Sequence, residues 1–451
     1  MTGGGTPSPP VELPRSLGLG SAVAVLVGST IGSGIFRVPS SVAADAGTLG
    51  GVAIVWLAGA VVALFGALTL AELAAAYPRS GGIYVFVREA FGPLPAFLFG
   101  WTQLLIIRPS AYGAIALIFA AYAGTFLHLT GAGVRVLAAV LIAVLGLANI
   151  RSVRWGAAIE NATTLAKVAA LLVVAVLALV FTEGGGALPG PLGLSGLDVG
   201  GLGVAMIAVL WAYDGWADLT FMAGEIRAPE RNLPRALIAG TTIVVVVYVL
   251  MNLAYLRVLP LSDVSASELV AADTATRIFG PPGAAAIAGL VVLSTFGSLN
   301  GAMMTGPRIF YAMAADGLFF RPIAAVHPQY RTPWAAIGFS AALGILYVSI
   351  RPFERLAGDF VLGIWPFYAL AVAAVFRLRH SRPALPRPYR ARGYPWIPAV
   401  FLAASVALLA NALVRQTATT ALDFGIILAG IPVFIAWRRF SRGRGAERGG
   451  K

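Results

Sequence analysis

Runs of roughly 18–25 mainly apolar residues recur along the whole chain, each long enough to cross a bilayer as a helix. Lipid offers no hydrogen-bond partner, so such a chain folds into helices that satisfy their own backbone. Composition agrees. Of 451 residues, 59% are hydrophobic and 11% charged, with mean hydropathy +0.85, against about 25% charged in soluble domains. Twelve spans are expected, at about 19–42, 49–77, 93–125, 134–150, 157–182, 199–224, 234–258, 281–315, 333–350, 356–377, 396–414 and 422–438. No separate soluble domain lies between them.

The first run is interrupted at its centre by Gly28-Ser29-Thr30-Ile31-Gly32-Ser33-Gly34, poor material for a continuous helix. A break at bilayer depth frees backbone N–H and C=O groups, which is tolerable only where they line a cavity. The sixth run carries a second interruption, Trp211-Ala212-Tyr213-Asp214-Gly215-Trp216-Ala217-Asp218. Asp214 inside a span is expensive and marks a functional position; Asp218 reads as polar lining. If spans 1–5 and 6–10 are repeats, the two interruptions occupy corresponding places and point to a binding site between them. The halves show no convincing residue-level similarity, so the repeat rests on pattern. A rival reading is glycine-mediated packing of span 1 against a neighbour, which explains two interrupted spans less well.

The chain has no cysteine, which excludes disulfides, thiolate metal sites and a cysteine nucleophile. His128, His327 and His380 are too scattered to suggest a metal cluster, and no cofactor is expected. A polytopic membrane enzyme would need a nucleophile–base set or metal ligands at bilayer depth, for which the sequence offers almost nothing. A channel would need a polar face continuous through several spans, and only local breaks are present.

The net charge of +13 is distributed for membrane topology, not for nucleic acid. With the termini inside, 24 of the 32 Lys and Arg, Lys167 counted among them, fall on the cytoplasmic side. Both ends are therefore expected in the cytoplasm of a cell with the protein in its inner membrane. Residues Met1–Pro10 lack a basic start and read as a cytoplasmic tail, not a cleaved signal. The loop Arg377–Arg392 and the basic tail would also attract anionic lipid head groups.

The motifs resemble a family. Gly32-Ser33-Gly34-Ile35-Phe36 is similar to the signature of the amino acid–polyamine–organocation transporters. Ala212-Tyr213-Asp214-Gly215-Trp216, Glu225-Ile226 and Pro229-Glu230-Arg231-Asn232-Leu233-Pro234-Arg235 resemble its L-type amino acid transporter branch. So do Leu104-Leu105-Ile106-Ile107-Arg108-Pro109, Phe296-Gly297-Ser298-Leu299-Asn300-Gly301, His327-Pro328-Gln329, Thr332-Pro333 and Leu378-Arg379-His380. A single motif would be weak; the series, in order over spans 1 to 10, is strong.

The resemblance implies an all-α polytopic membrane protein of 12 transmembrane helices. Its fold would be a LeuT-like 5+5 inverted repeat with broken helices 1 and 6, plus two C-terminal helices. The parts would be a cytoplasmic tail 1–18, repeats at 19–182 and 199–377, spans 11–12 at 396–438 and a basic cytoplasmic tail 439–451. It implies sodium-independent secondary transport of amino acids by alternating access, as neutral L-amino acid exchange or proton-coupled uptake. A cationic amino acid or polyamine transporter using Asp214 is the alternative, and a non-transporting amino acid sensor a remoter one.

The substrate would lie between the breaks, at Thr30, Ile31, Gly32, Ser33, Gly34, Trp211, Ala212, Asp214 and Gly215. Free N–H groups around Ser33 and Gly34 would receive a carboxylate at a helix N-terminus. Carbonyls near Thr30 and Trp211 would accept from the ammonium. By the resemblance Trp211 is an aromatic gate, and Trp365 matches an aromatic near the pocket, though packing also explains it. Asp214 either faces a cationic side chain or caps the broken helix. Lys167 resembles the lysine of sodium-independent members, where its charge replaces a bound sodium ion. A buried amine can also release its proton and offer coupling; the plainer reading is snorkelling to the cytoplasmic face. Glu160 reads as a cytoplasmic-end residue beside an arginine. Arg108, mid-span, needs a partner and reads as structural before it reads as substrate-binding. The animal L-type members carry an external cysteine linking them to a heavy chain; this chain has none, so no disulfide-linked heavy chain is expected and a monomer with membrane lipids around it is.

Overall fold

The first hydrophobic run forms two helices, not one. In the computed structural model, α1 (Leu19–Thr30) and α2 (Gly34–Ala46) meet at a 43° bend. The structure describes residues 15, 17–151, 154–181, 186–188, 192–194, 197–320, 322–323, 325, 327–330 and 332–449. Expectations for residues 1–14, Arg321 and Arg331 lie outside the described residues, as do the side chains of Glu160 and of the basic tail 439–451.

The next helices are α3 (Leu49–Ala76), the short α4 (Ile83–Phe91), α5 (Pro93–Thr102), α6 (Arg108–Leu127), α7 (Ala132–Arg151) and α8 (Arg154–Phe181). Thr48 caps α3, its Oγ1 accepting from Gly51 N at 3.0 Å. A second broken run follows, α9 (Val199–Tyr213) and α10 (Asp218–Phe221), then α11 (Pro229–Val258) and the short α12 (Leu261–Ala266) and α13 (Val270–Phe279). The rest are α14 (Pro281–Thr305), α15 (Pro307–Ala315), α16 (Trp334–Ile350), α17 (Phe353–Ser381), α18 (Trp396–Arg415) and α19 (Thr417–Gly449).

Among the described residues eight helical segments are long and apolar enough to cross a membrane, and α1 with α2 makes a ninth if taken as one span. Thr164–Val180 within α8, α9 and α16 are shorter but apolar. The protein is thus an all-α, multi-pass membrane protein. Helices far apart in the chain pack on one another: α3 on α11, α6 on α14, α7 on α16. Short helices that hydropathy did not suggest follow α3 and α11.

Two prolines show how freed backbone is satisfied. Pro109 cannot donate to the carbonyl of Leu105, and the helix widens into a π turn over Gln103–Ile107. Tyr347 on α16 supplies the missing donor to Leu105 O at 2.8 Å. Pro39 likewise frees Ile35 O, which accepts from the Tyr255 hydroxyl at 3.2 Å. Without water, each orphaned carbonyl would destabilise its span.

The face carrying both described ends of the chain is laced shut. Leu17 N donates to Glu225 O at 3.0 Å and Arg227 N to Leu17 O at 2.8 Å. Glu225 pairs with Arg308 on α15 at 3.0 Å, and just beyond α15 Gly317 O accepts from Trp437 of α19 at 3.4 Å. On this face Glu72, buried, holds Arg379 through bonds of 2.9 and 2.5 Å and takes the backbone N–H of Ala391 at 2.7 Å. Glu89 pairs with Arg382 and Arg79. Much of the Arg377–Arg392 loop is therefore engaged within the protein.

Candidate functional site

The backbone freed at the first break is unevenly satisfied. Its carbonyls are taken by distant side chains: Thr30 O by the Tyr248 hydroxyl at 2.9 Å, Ile31 O by Ser294 at 3.4 Å, and Gly28 O by Lys167 Nζ at 2.7 Å and Ser298 at 3.3 Å. Gly32 N also donates to Thr30 O, at 2.8 Å. The N–H groups of Ser33, Gly34 and Ile35 meet no acceptor among the described residues. At the start of α2 these three donors add to the positive end of the helix dipole, the makings of an anion site. The expectation that Thr30 O receives an ammonium does not suit this geometry, since that oxygen already accepts twice.

The second break touches the first. Gly215 has φ +119°, and a Cβ there would lie 2.8 Å from the Thr30 backbone. A Cβ on Gly34 would lie 2.5 Å from Ala212 Cα. Only glycine permits this approach. At the end of α9 the carbonyls of Ala212 and Tyr213 have no donor among the described residues.

A cavity of about 50 Å³ lies at the junction, several times what one water needs. Thr30, Gly32, Ser33 and Gly34 line one side, and Trp211, Asp214 and Gly215 another. Trp211 closes it edge-on against Phe360 and Phe353 of α17, with ring centroids 4.9 and 6.1 Å apart. Its Nε1 has no partner among the described residues.

The polar wall is richer than expected. Asp214 Oδ1 accepts from the Tyr368 hydroxyl at 2.5 Å. Arg108 reaches into the cavity, donating to Gln103 at 2.9 Å, lying 3.5 Å from Asp218 and sitting 5.7 Å above the Phe221 ring. Arg108 thus has partners within the protein and also faces the cavity.

The other expected positions fall as follows. Ile31 and Ala212 are buried beside the cavity, one giving its carbonyl to Ser294, the other packed on Gly34. Lys167 is 1% exposed and sits behind the break. It neither snorkels nor belongs with the cytoplasmic charges. Trp365 lies off the cavity wall, stacked on Phe401 and donating to Ser405 at 3.1 Å. Five residues place it about 140° around α17 from Phe360, so one helix cannot present both rings to the same space. Sequence reasoning did not single out Phe360 or Tyr368; their spacing of eight, one helical stripe, was the available signal.

Comparison with known proteins agrees with this architecture. The profile of the family described as amino acid permease matches residues 17–437. The chain is 32% identical over 436 residues to the serine/threonine exchanger SteT of Bacillus subtilis, covering 95% of this chain and 98% of that one. It is 34% identical over 386 residues to the human b(0,+)-type amino acid transporter 1, covering 84% and 79%. With the human cystine/glutamate transporter it shares 32% identity over 441 residues, covering 96% and 87%. The chain belongs to the amino acid permease family, in the L-type branch of the amino acid–polyamine–organocation superfamily.

Proposed function

We propose that this permease is a sodium-independent secondary transporter that exchanges neutral L-amino acids by alternating access, or couples their uptake to protons. Membership of the family makes it a transporter and not an enzyme. The observation that carries the reading is the row of open N–H groups at Ser33, Gly34 and Ile35, set against a cavity between two abutting breaks. A zwitterion fits it. The carboxylate takes the three donors and the dipole of α2. The ammonium lies toward the open carbonyls of Ala212 and Tyr213 and the carboxylate of Asp214. The side chain then extends toward Arg108, Asp218 and the Trp211–Phe360 lid.

Sodium independence is supported by Lys167, whose ammonium already bonds Gly28 O at the back of the break. Exchange is supported by the Bacillus subtilis relative, a serine/threonine exchanger. A second reading, transport of cationic amino acids, is favoured by Asp214, because Tyr368 covers only one of its oxygens.

Counting α8, α9 and α16 as spans gives the twelve-helix, 5+5 arrangement, with repeats at 19–182 and 199–377 and spans 11–12 at 396–438. The matched packing of α3 with α11, α6 with α14 and α7 with α16 supports it. The excess of Lys and Arg supports cytoplasmic ends and a place in the inner membrane. A monomer without a disulfide-linked partner is the working unit.

Exchange in proteoliposomes tests the proposal, with unlabelled amino acids competing and with sodium and pH varied. Flux of a neutral amino acid without sodium supports it; binding without flux would make the protein a sensor. Competition by lysine or arginine that Asp214→Asn removes would select the cationic reading.

A further inference from the structure

The lid ring Phe360 is preceded in α17 by Asp359, a fully buried carboxylate, and Asp423 of α19 is buried to 1% exposure. Each stands six residues after the first residue of its helix, Phe353 or Thr417, and so about 9 Å into the span. Neighbours in a helix point about 100° apart, so the Phe360 ring meets Trp211 while the Asp359 carboxyl meets α19. Carboxylates at such depth are costly and need partners.

Their partners are unequal. Arg351 bonds Asp359 Oδ2, and Arg355 Nε lies 2.6 Å from Oδ1 without the alignment of a hydrogen bond. Asp423 has only the other edge of Arg355, whose Nη2 lies 3.4 Å from its Oδ1 and also 3.4 Å from Thr419 O. Asp359 Oδ1 and Asp423 Oδ2 are buried and receive no hydrogen bond among the described residues. The two carboxyl groups are within hydrogen-bond reach of each other. The other polar groups at this end are engaged elsewhere. Tyr347 of α16 lies under Arg351, its ring centroid 4.2 Å from the guanidinium carbon, and gives its hydroxyl to Leu105 O. Glu354 is held by Arg37 of α2, Arg415 of α18 by Asp198, and Asp45 of α2 is exposed. One proton between two abutting carboxyls satisfies both oxygens and removes their like-charge repulsion.

We propose that Asp359 and Asp423 share one exchangeable proton, and that this proton ties the lid end of α17 to α19. As an extension that rests on the transport reading above, the pair gives proton coupling its site. With the proton in place, Asp423 Oδ2–H donates to Asp359 Oδ1 and Phe360 is held against Trp211. The proton leaves to water along Arg351 and Arg355, 19% and 21% exposed. Both carboxylates then carry charge, and Asp359 stays with its two arginines. α17 parts from α19, and the lid is free to open.

Two measurements on the purified full-length protein test this. Neither needs flux, so a failure to transport would count against the transport reading alone. Infrared difference spectra between acid and alkaline pH should show a protonated-carboxyl band that is lost in Asp423→Asn and in Asp359→Asn and persists in Asp214→Asn. The chain has no cysteine, so Ala111→Cys on the inner cavity wall reports the lid. Its rate of alkylation is taken at each pH relative to the same cysteine in Asp423→Asn, where an amide N–H stands in the proton's place and keeps the lid shut. That ratio should rise with pH by up to about tenfold per unit, the slope of a single proton. If Asp423→Asn fails to insert, Asp359→Asn takes its place in both measurements. A band that survives in either variant, or an alkylation ratio flat with pH, overturns the inference.

Discussion

Lys167 Nζ donates to the carbonyl of Gly28 at 2.7 Å, across 139 residues of sequence, and ties α8 to the last turn of α1. Ser298 reaches the same carbonyl from α14. The break is therefore held from behind by a charge, where most of its other supports are neutral hydroxyls. A hydrogen bond involving a charged group contributes about 1.5–3 kcal/mol. Lys167→Ala should thus slow exchange roughly ten- to a hundredfold while the protein still inserts. Transport kinetics and pH response equal to wild type would mean that this contact is incidental.

Tyr368 fixes one oxygen of Asp214, a residue that lines the cavity. Tyr368→Phe removes that donor without changing the ring. Exchange of neutral substrates should fall about tenfold, the loss of one charged hydrogen bond, and competition by lysine or arginine should strengthen. A competition panel identical to that of wild type would remove Asp214 from substrate selection.

Arg108, buried, and Asp218, 15% exposed, are a pair on the cavity wall. Taking one partner away leaves an uncompensated charge, which costs about 3–5 kcal/mol. Arg108→Gln should lower the thermal midpoint sharply, and adding Asp218→Asn should recover most of it. If the double variant is stable yet still does not transport, Arg108 acts on the substrate as well as on the fold.

What could be read from the sequence follows from how local each signal is. The breaks were legible because glycines and Asp214 inside apolar runs leave a mark within seven or eight residues. Their supports were not. Tyr248, Ser294 and Ser298 lie more than 200 residues from the carbonyls they satisfy, and a lone hydroxyl in a span has no pattern of its own. The short helices α4 and α13 escaped because a hydropathy window long enough for a span averages them with their polar flanks. Arg108 was visible as a charge and Pro109 as a helix disruptor. The π turn before them, which sets the register of Arg108 on the cavity wall, depends on Tyr347 from another span. Trp365 failed as a pocket residue because aromatic character says nothing about the face of the helix.

Glu89 gives a pH dependence outside the spans. Burial pushes its carboxyl up, but hydrogen bonds from Arg382 and Arg79 outweigh burial and hold it below the ordinary 4.5. A lowered folded value means the stabilisation is complete above about 4.5 and is lost as pH falls through the lowered value. Partly exposed pairs contribute about 0–1 kcal/mol. Acidification of wild type through that window should therefore lower the thermal midpoint by roughly 1–2 °C more than it lowers that of Glu89→Gln. Parallel acid limbs for the two proteins would show that this network does not couple to protons.

Gly34 and Gly32 separate a backbone site from mere tight packing. A Cβ on Gly34 meets Ala212 Cα at 2.5 Å, an atom of the neighbouring helix that cannot turn aside. A Cβ on Gly32 meets Ser298 Oγ at 3.0 Å, a side-chain tip that can rotate. Overpacking of the first kind costs about 1–3 kcal/mol and moves backbone, and the backbone it would move carries the open N–H groups. Gly34→Ala and Gly34→Val should both lose substrate binding by about a hundredfold in protein that still inserts, whereas Gly32→Ala should lose no more than about tenfold. Equal losses at the two positions would mean that crowding alone explains the effect; retained uptake in Gly34→Val would end the backbone-site proposal.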